Sequence, residues 1–250
     1  MLNRWRLVYL IEVESILQSS KDEKPSGIAN LKKYIGTDLD FIGLSVPLQR
    51  KIYKAGYSFS YLPIDEQFEI WNYIWHNSNL YDALNQALFF VSKYIDTLNH
   101  TKVWTITSAW ANRLDNWAHS DSLSRIYANL LEHNRAVIFP VLQSWNSHQN
   151  AWLRRQSLVS LIEYSRKRKE NLPYKEILSL IKNLLKDENY FVQKGLGWTL
   201  RETYNIYPDI AFEFLVNNCE HISSVAFSAA IEKLNTENKE KLKQLRKKLR

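Results

Sequence analysis

Along almost the whole chain, apolar residues return every three or four positions. That is the period of a helix with one buried face. In DEQFEIWNYIWHNS, Phe68, Trp71 and Trp75 fall at such steps behind an acidic start at Asp65 and Glu66. WLRRQSLVSLIEYSRKR continues the pattern with Leu153, Leu158, Leu161 and Ile162. PYKEILSLIKNLLKDEN opens with Pro173 in a first-turn position, where a missing N–H costs nothing, and closes in a polar turn. YFVQKGLGWTLRETYNIY and DIAFEFLVNNCE follow, and no alternating strand pair stands out. The pattern predicts about twelve to fourteen helices joined by short turns.

Helices that arrive in pairs with short links suggest stacked hairpins at a loose period of about 35 to 45 residues. One compact bundle is the alternative, but so many short helices are hard to wrap round a single core. No clean domain boundary is visible, so a single all-α domain spanning 1–250 is expected. Its main irregular loop is YIGTDLDFIGLSVPLQR. That loop separates an N-terminal helical cap (1–45) from the repeat array (46–235), and a basic C-terminal helix (236–250) follows.

Composition agrees with this picture. Six glycines and six prolines in 250 residues argue against a turn-rich β fold. Nine tryptophans and fourteen tyrosines exceed core needs, and the surplus is expected on contact surfaces. A lone cysteine, Cys219, rules out an internal disulfide and a cysteine metal cluster, and a reducing compartment fits it. The start MLNRWRLVYLIEVESILQSS mixes arginines and glutamates into its apolar positions, unlike a signal peptide. No apolar run approaches the ~18 residues of a membrane span. A cytoplasmic, monomeric protein is expected.

Formal net charge is +7, and its distribution matters more than its size. The last fifteen residues, TENKEKLKQLRKKLR, hold seven Lys/Arg and two Glu, so most of the excess sits there. A basic balance suits a polyanion such as nucleic acid, although a solvated terminal helix explains the same charge.

Several chemistries are excluded. The six histidines (His76, His100, His119, His133, His148 and His221) do not pair at metal-ligand spacing, so no metal or other cofactor is expected. There is no nucleophile elbow, P-loop or dinucleotide fingerprint. The two glycines of GLGWTL sit inside a helical pattern, where they permit close helix packing.

What remains is an aromatic and charged set in the second half. Trp117 and Asp121 are four apart, Trp152 and Arg155 three apart, and Lys194, Trp198 and Arg201 form an i, i+4, i+7 stripe. Three successive segments thus offer an indole beside a charge. Arg and Lys hold phosphates, indoles give flat contact and attract cations, and a carboxylate can stabilise positive charge on a sugar or base. At any one position, core tryptophan with a solvated charge is the more frequent case, and an aspartate such as Asp121 at a helix start is most often a cap. Their coincidence raises the functional reading.

WLRRQSLVSL, FVQKGLGWTLRE and GTDLDFIGLSVPLQRKI resemble the DNA alkylation repair family, the AlkD-type glycosylases built of HEAT-like repeats. The resemblance runs from about Leu31 to Pro208, and FVQKGLGWTLRE is its most specific element. It implies a HEAT-like α–α superhelix with a concave basic face. It also implies a catalytic aspartate four residues after a tryptophan, here Asp121 after Trp117. Further implications are a DNA-contacting arginine after WL and one more residue, Arg155 next to Arg154, and a second site tryptophan, Trp198. Lys194 and Arg201 join them as DNA contacts. The position after the first tryptophan, acidic in active members, is Ala118 here, which suggests a different subgroup.

The implied activity is hydrolysis of the N-glycosidic bond of cationic purines such as 3-methyladenine and 7-methylguanine in double-stranded DNA, without flipping the base. A DNA-binding repeat protein without catalysis is the alternative. A protein-binding scaffold is a third.

Overall fold

The computed structural model describes residues 4–20, 27–162 and 170–249. Among them are fourteen α-helices, a single 3-10 turn (Ala111–Arg113) and one isolated parallel bridge between Asp40 and Leu80. The expected all-α, helical-repeat class is therefore observed. The chain divides into two compact units, Met1–Ile126 and Tyr127–Arg250.

The first unit contains α1 (Arg4–Ser19), α2 (Ile28–Ile35), α3 (Val46–Ala55), α4 (Ile64–Asn77), α5 (Tyr81–Tyr94), α6 (His100–Trp110) and the start of α7 (Trp117–His133). Its core is aromatic: Phe59, Phe68, Trp71, Trp75, Phe90 and Trp110 are fully buried. Trp75 stacks on Trp110 at 4.5 Å between centroids, and the Trp75 indole N–H donates to the Trp110 carbonyl. A buried indole removes roughly 200 Å² from water, on the order of 5 kcal/mol, far more than any surface ion pair.

The irregular loop between α2 and α3 is fixed from below by a buried polar network. The Asp82 carboxylate accepts from the Ile42 N–H (3.1 Å) and from Gln49 Nε2 (3.0 Å). Gln49 in turn accepts from Asn85 (3.0 Å) and donates to the Leu44 carbonyl (2.8 Å). Burial pushes the Asp82 carboxyl pKa up, opposed by the loop N–H groups. Gly43 turns the loop at φ +81°, a conformation that L side chains rarely adopt.

In the second unit, α8 (Arg135–Trp145) pairs with α9 (Ala151–Val159), and α10 (Tyr174–Asn183) with α11 (Tyr190–Ile206). Two further helices follow, α12 (Pro208–Asn218) and α13 (Ser224–Ala230), and then α14 (Thr236–Leu249). Helix α11 lies between α9 and α13, as stacked hairpins require. Two local expectations shift. Pro173 is the N-cap of α10 and not its first helical residue. Helix α9 stops at Val159, where the Ser160 N–H closes back on the Gln156 carbonyl. The remaining positions of that pattern, 163–169, lie outside the described residues.

The glycines of GLGWTL serve packing, as their sequence setting suggests. A Cβ at Gly197 would overlap the Ala226 carbonyl oxygen and lie 2.7 Å from its Cα, so α11 and α13 meet backbone to backbone. At Gly195 a Cβ would meet only side-chain atoms of Val159 and Arg155, at 3.1–3.2 Å. Gly197→Ala is expected to destabilise the protein by about 2–3 kcal/mol or more, through overpacking against rigid backbone. Gly195→Ala should cost clearly less. Urea unfolding of the two variants gives the ranking, and equal losses would contradict the assigned contact.

Candidate functional site

Helix α7 begins at Trp117, and its cap is Asn116. The Asn116 side-chain oxygen accepts the His119 N–H at 2.8 Å. Asp121 is therefore not the cap of this helix. It sits in the second turn, half-buried, one turn beyond Trp117. Its backbone carbonyl accepts from the Ser124 hydroxyl at 2.8 Å.

Trp117 is held on two sides. Its indole N–H donates to the Tyr34 carbonyl (2.9 Å), and the Tyr34 ring meets it edge-on at 5.4 Å. The α2–α3 loop is tied to the same helix start by Asp115. The Asp115 carboxylate accepts from the Thr37 hydroxyl (2.7 Å), the Asp38 N–H (2.9 Å) and Asn116 Nδ2 (2.7 Å). Tyr34 is exposed and stands edge-on beside Trp117. Its role had no signal in the sequence, because the contact joins residues 83 apart.

Behind this surface, His119 is buried and stacks on Tyr81 at 4.3 Å. Asn116 Nδ2 lies 2.9 Å from His119 Nδ1, which as the acceptor carries no proton. Burial lowers the His119 pKa to about 4, with Asp115 pulling the other way and Arg113 adding to the fall. The imidazole is neutral and structural at neutral pH.

In the second unit, Asn150 and Asn189 cap α9 and α11 through the N–H groups of Trp152 and of Phe191 and Val192. Trp152 stacks on Phe191 at 4.9 Å. Arg155 is 5% exposed, and its Nη1 donates to the Phe191 carbonyl at 2.7 Å. Arg154 forms an ion pair with Asp187 (2.5 Å) and donates to the His148 and Gln149 carbonyls. Both arginines are thus engaged with their own unit.

Along α11 the stripe is longer than the sequence spacing suggested. Exposed Tyr190 lies under the Lys194 ammonium, 5.7 Å from the ring centre. Half-buried Trp198 lies under the Arg201 guanidinium at 5.9 Å. Arg201 also pairs with Glu232 at 2.7 Å, and this contact, with Lys233, lowers the Glu232 carboxyl pKa. Tyr190, Lys194, Trp198 and Arg201 thus alternate ring and cation down one helix face. Lys194 is the exposed cation of the four.

Asp121, Arg155 and Lys194 each stand five residues after a capping asparagine. Among the described residues, no group of three or more His, Cys, Asp or Glu side chains could hold a metal ion. No described helix is long and apolar enough to cross a membrane. Cys219 is buried, and burial raises its pKa, which keeps the thiol from acting as a nucleophile.

A family model described as DNA alkylation repair enzyme matches residues 16–234. No curated protein matches the chain. Among solved structures, the fold is similar to that of a predicted DNA alkylation repair enzyme from Enterococcus faecalis. The TM-score is 0.71 at 16% identity, over 86% of this chain and 98% of the other. AlkD2 from Streptococcus mutans aligns with a TM-score of 0.52 at 16% identity, over 90% of this chain and 98% of its own. The structure of smu.31 from Streptococcus mutans UA159 gives 0.51 at 16% identity with the same coverage.

The His119 environment predicts a pH effect of definite sign. The unfolded chain takes up a proton near pH 6.5, and the folded chain only near pH 4. The stabilisation is therefore present above pH 6.5 and is lost as pH falls toward 4. Between pH 7 and 5 this residue should remove about 2 kcal/mol of stability. Urea unfolding at the two pH values should show that loss, and His119→Gln should flatten it. An unchanged pH slope in the variant would refute the assignment.

Proposed function

Because this chain belongs to the DNA alkylation repair enzyme family, we propose that it removes cationic alkylated purines from duplex DNA by hydrolysing their N-glycosidic bond. The observation that carries this reading is the start of α7. Asn116 takes the capping role, which leaves Asp121 one turn beyond a half-exposed indole.

The chemistry asks little of the protein. Alkylation at N3 or N7 makes the purine positive, so it leaves as a neutral base and needs no general acid. Breaking the C1′–N bond leaves positive charge on the sugar. A carboxylate near that charge lowers the barrier and orients the attacking water. Asp121 is assigned this role. Trp117, held by the edge-on Tyr34 ring, offers a flat wall for the deoxyribose, and the base need not be drawn into a pocket.

DNA contact in the second unit is assigned first to Lys194 and Trp198, which are accessible on α11. Arg201 flanks Trp198, with its guanidinium paired to Glu232. Arg154 and Arg155 remain candidates through the resemblance, with their guanidinium groups held by Asp187 and the Phe191 carbonyl.

A DNA-binding protein without base release is the second reading. Ala118, beside Trp117, favours it, because active members of the family carry an acidic residue there. One experiment separates the two. Wild-type protein should free 7-methylguanine from methylated duplex DNA, and Asp121→Asn should slow release roughly 100-fold or more while duplex affinity changes little. Release by the variant at the wild-type rate would remove Asp121 from the mechanism. Binding without release by the wild type would establish the second reading.

A further inference from the structure

The family match ends at residue 234, and α14 begins at Thr236. The most basic segment of the chain therefore lies beyond the region the family shares. In isolation such a run is a solvated helix whose cations complement the C-terminal end of the helix dipole. Its packing shows more than that.

Helix α14 is anchored on one side. Leu242 is fully buried. Arg246 is also buried, donates Nη1 to the Cys219 carbonyl, and places its guanidinium 4.4 Å from the Phe227 ring centre. Lys241 lies over Phe212 at 5.7 Å. The charge of α14 is thus carried on a docked element and not on a loose tail.

Its acids are confined to the N-terminal half, while lysines run along its whole length. The acids Glu237 and Glu240 occupy the first two turns. The last two turns hold Lys243, Arg246, Lys247 and Lys248 with no acid. Arg246 is used for anchoring, and Lys243 reaches back to Glu240 at 2.8 Å. Lys241, Lys243, Lys247 and Lys248 are exposed. A fixed helix with exposed lysines matches a regularly spaced line of negative charge.

We infer that α14 is a phosphate-binding arm that holds the backbone of duplex DNA without regard to sequence, in addition to the stripe on α11. This rests on the reading of the protein as one that binds DNA. It adds a partner surface outside the shared family region. Lysines suit the task because the ammonium is a compact charge that meets phosphate at many angles. Each phosphate contact made contributes about 0.9 to the slope of log affinity against log salt.

The test uses the full chain and a short undamaged duplex of mixed sequence, with affinity measured across a salt series. A variant with Lys241, Lys243, Lys247 and Lys248 changed to Gln should bind on the order of tenfold more weakly at moderate salt, with a salt slope lower by about 2 to 3. The double variant Lys247→Gln/Lys248→Gln avoids the Phe212 and Glu240 contacts and should show roughly half of both effects. Thermal unfolding confirms that each variant is folded. If the wild type binds and both variants match its affinity and slope, the arm is refuted while DNA binding stands. If the wild type shows no salt-dependent duplex binding, the functional reading falls and the arm falls with it.

Discussion

An asparagine side chain folded back onto otherwise unpaired N–H groups sets where the site-bearing helices begin. Asn116, Asn150 and Asn189 do this for α7, α9 and α11, and Asn99 does it for α6. One such cap is worth only about 1 kcal/mol, a fraction of a buried indole. Its importance lies in register. A helix that started one residue later would turn every side chain by about 100°. Asp121, Arg155 and Lys194 all stand five residues beyond their caps, so one local rule orients three charged positions on three helices. The same rule yields three environments, because the neighbours differ. Arg155 meets the Phe191 carbonyl and is buried, whereas Lys194 meets an exposed ring and stays in solvent.

What the caps begin, close packing completes. Helix α11 can lie against α13 only because Gly197 has no Cβ. That contact holds the helix carrying Lys194, Trp198 and Arg201. In the first unit the same service is done by polar groups. Asp115 ties the α2–α3 loop to the α7 start, and neutral His119 fills the space behind it. A loop that looked irregular in sequence is thereby a rigid support for Tyr34 and Trp117. The buried Asp82–Gln49 network makes the same loop hold its shape from the α5 side.

The helical class, the hairpin order in the second unit and the packing role of GLGWTL were legible because they depend on local periodicity and on residue size. So was the choice between a core and a surface use of tryptophan, but only in part. Trp71, Trp75 and Trp110 are core and Trp117 and Trp198 are not, yet helical spacing alone treats them alike. The repeat itself was partly hidden. NAWLRR and NYFVQK share a cap, an aromatic residue two positions on and a cation five positions on. Sought as a capping pattern and not as an identity pattern, that correspondence was available. Tyr34 was not, since its relation to Trp117 depends on how the chain closes over more than eighty residues. The hydrogen bonds of Arg154 and Arg155 to carbonyls and to Asp187 were equally invisible, because spacing gives a face and not a partner.

Those partners change how the net charge should be understood. Arg113, Arg154, Arg155 and Arg246 all donate to main-chain carbonyls of the fold, and Arg201 pairs with Glu232. A planar guanidinium with five donors is suited to such multiple internal contacts, and the chain uses it so. The exposed cations at Lys194 on α11 and at Lys241, Lys247 and Lys248 on α14 are lysines. A surface of that kind attracts a polyanion through counterion release and long-range field more than through shaped bidentate recognition. Discrimination between damaged and normal DNA then has to come from elsewhere. In the proposed chemistry it comes from the lesion, because a base that already carries positive charge leaves more easily than its neutral neighbours. A lone carboxylate suffices for such a substrate, and a tight base-reading pocket is not required.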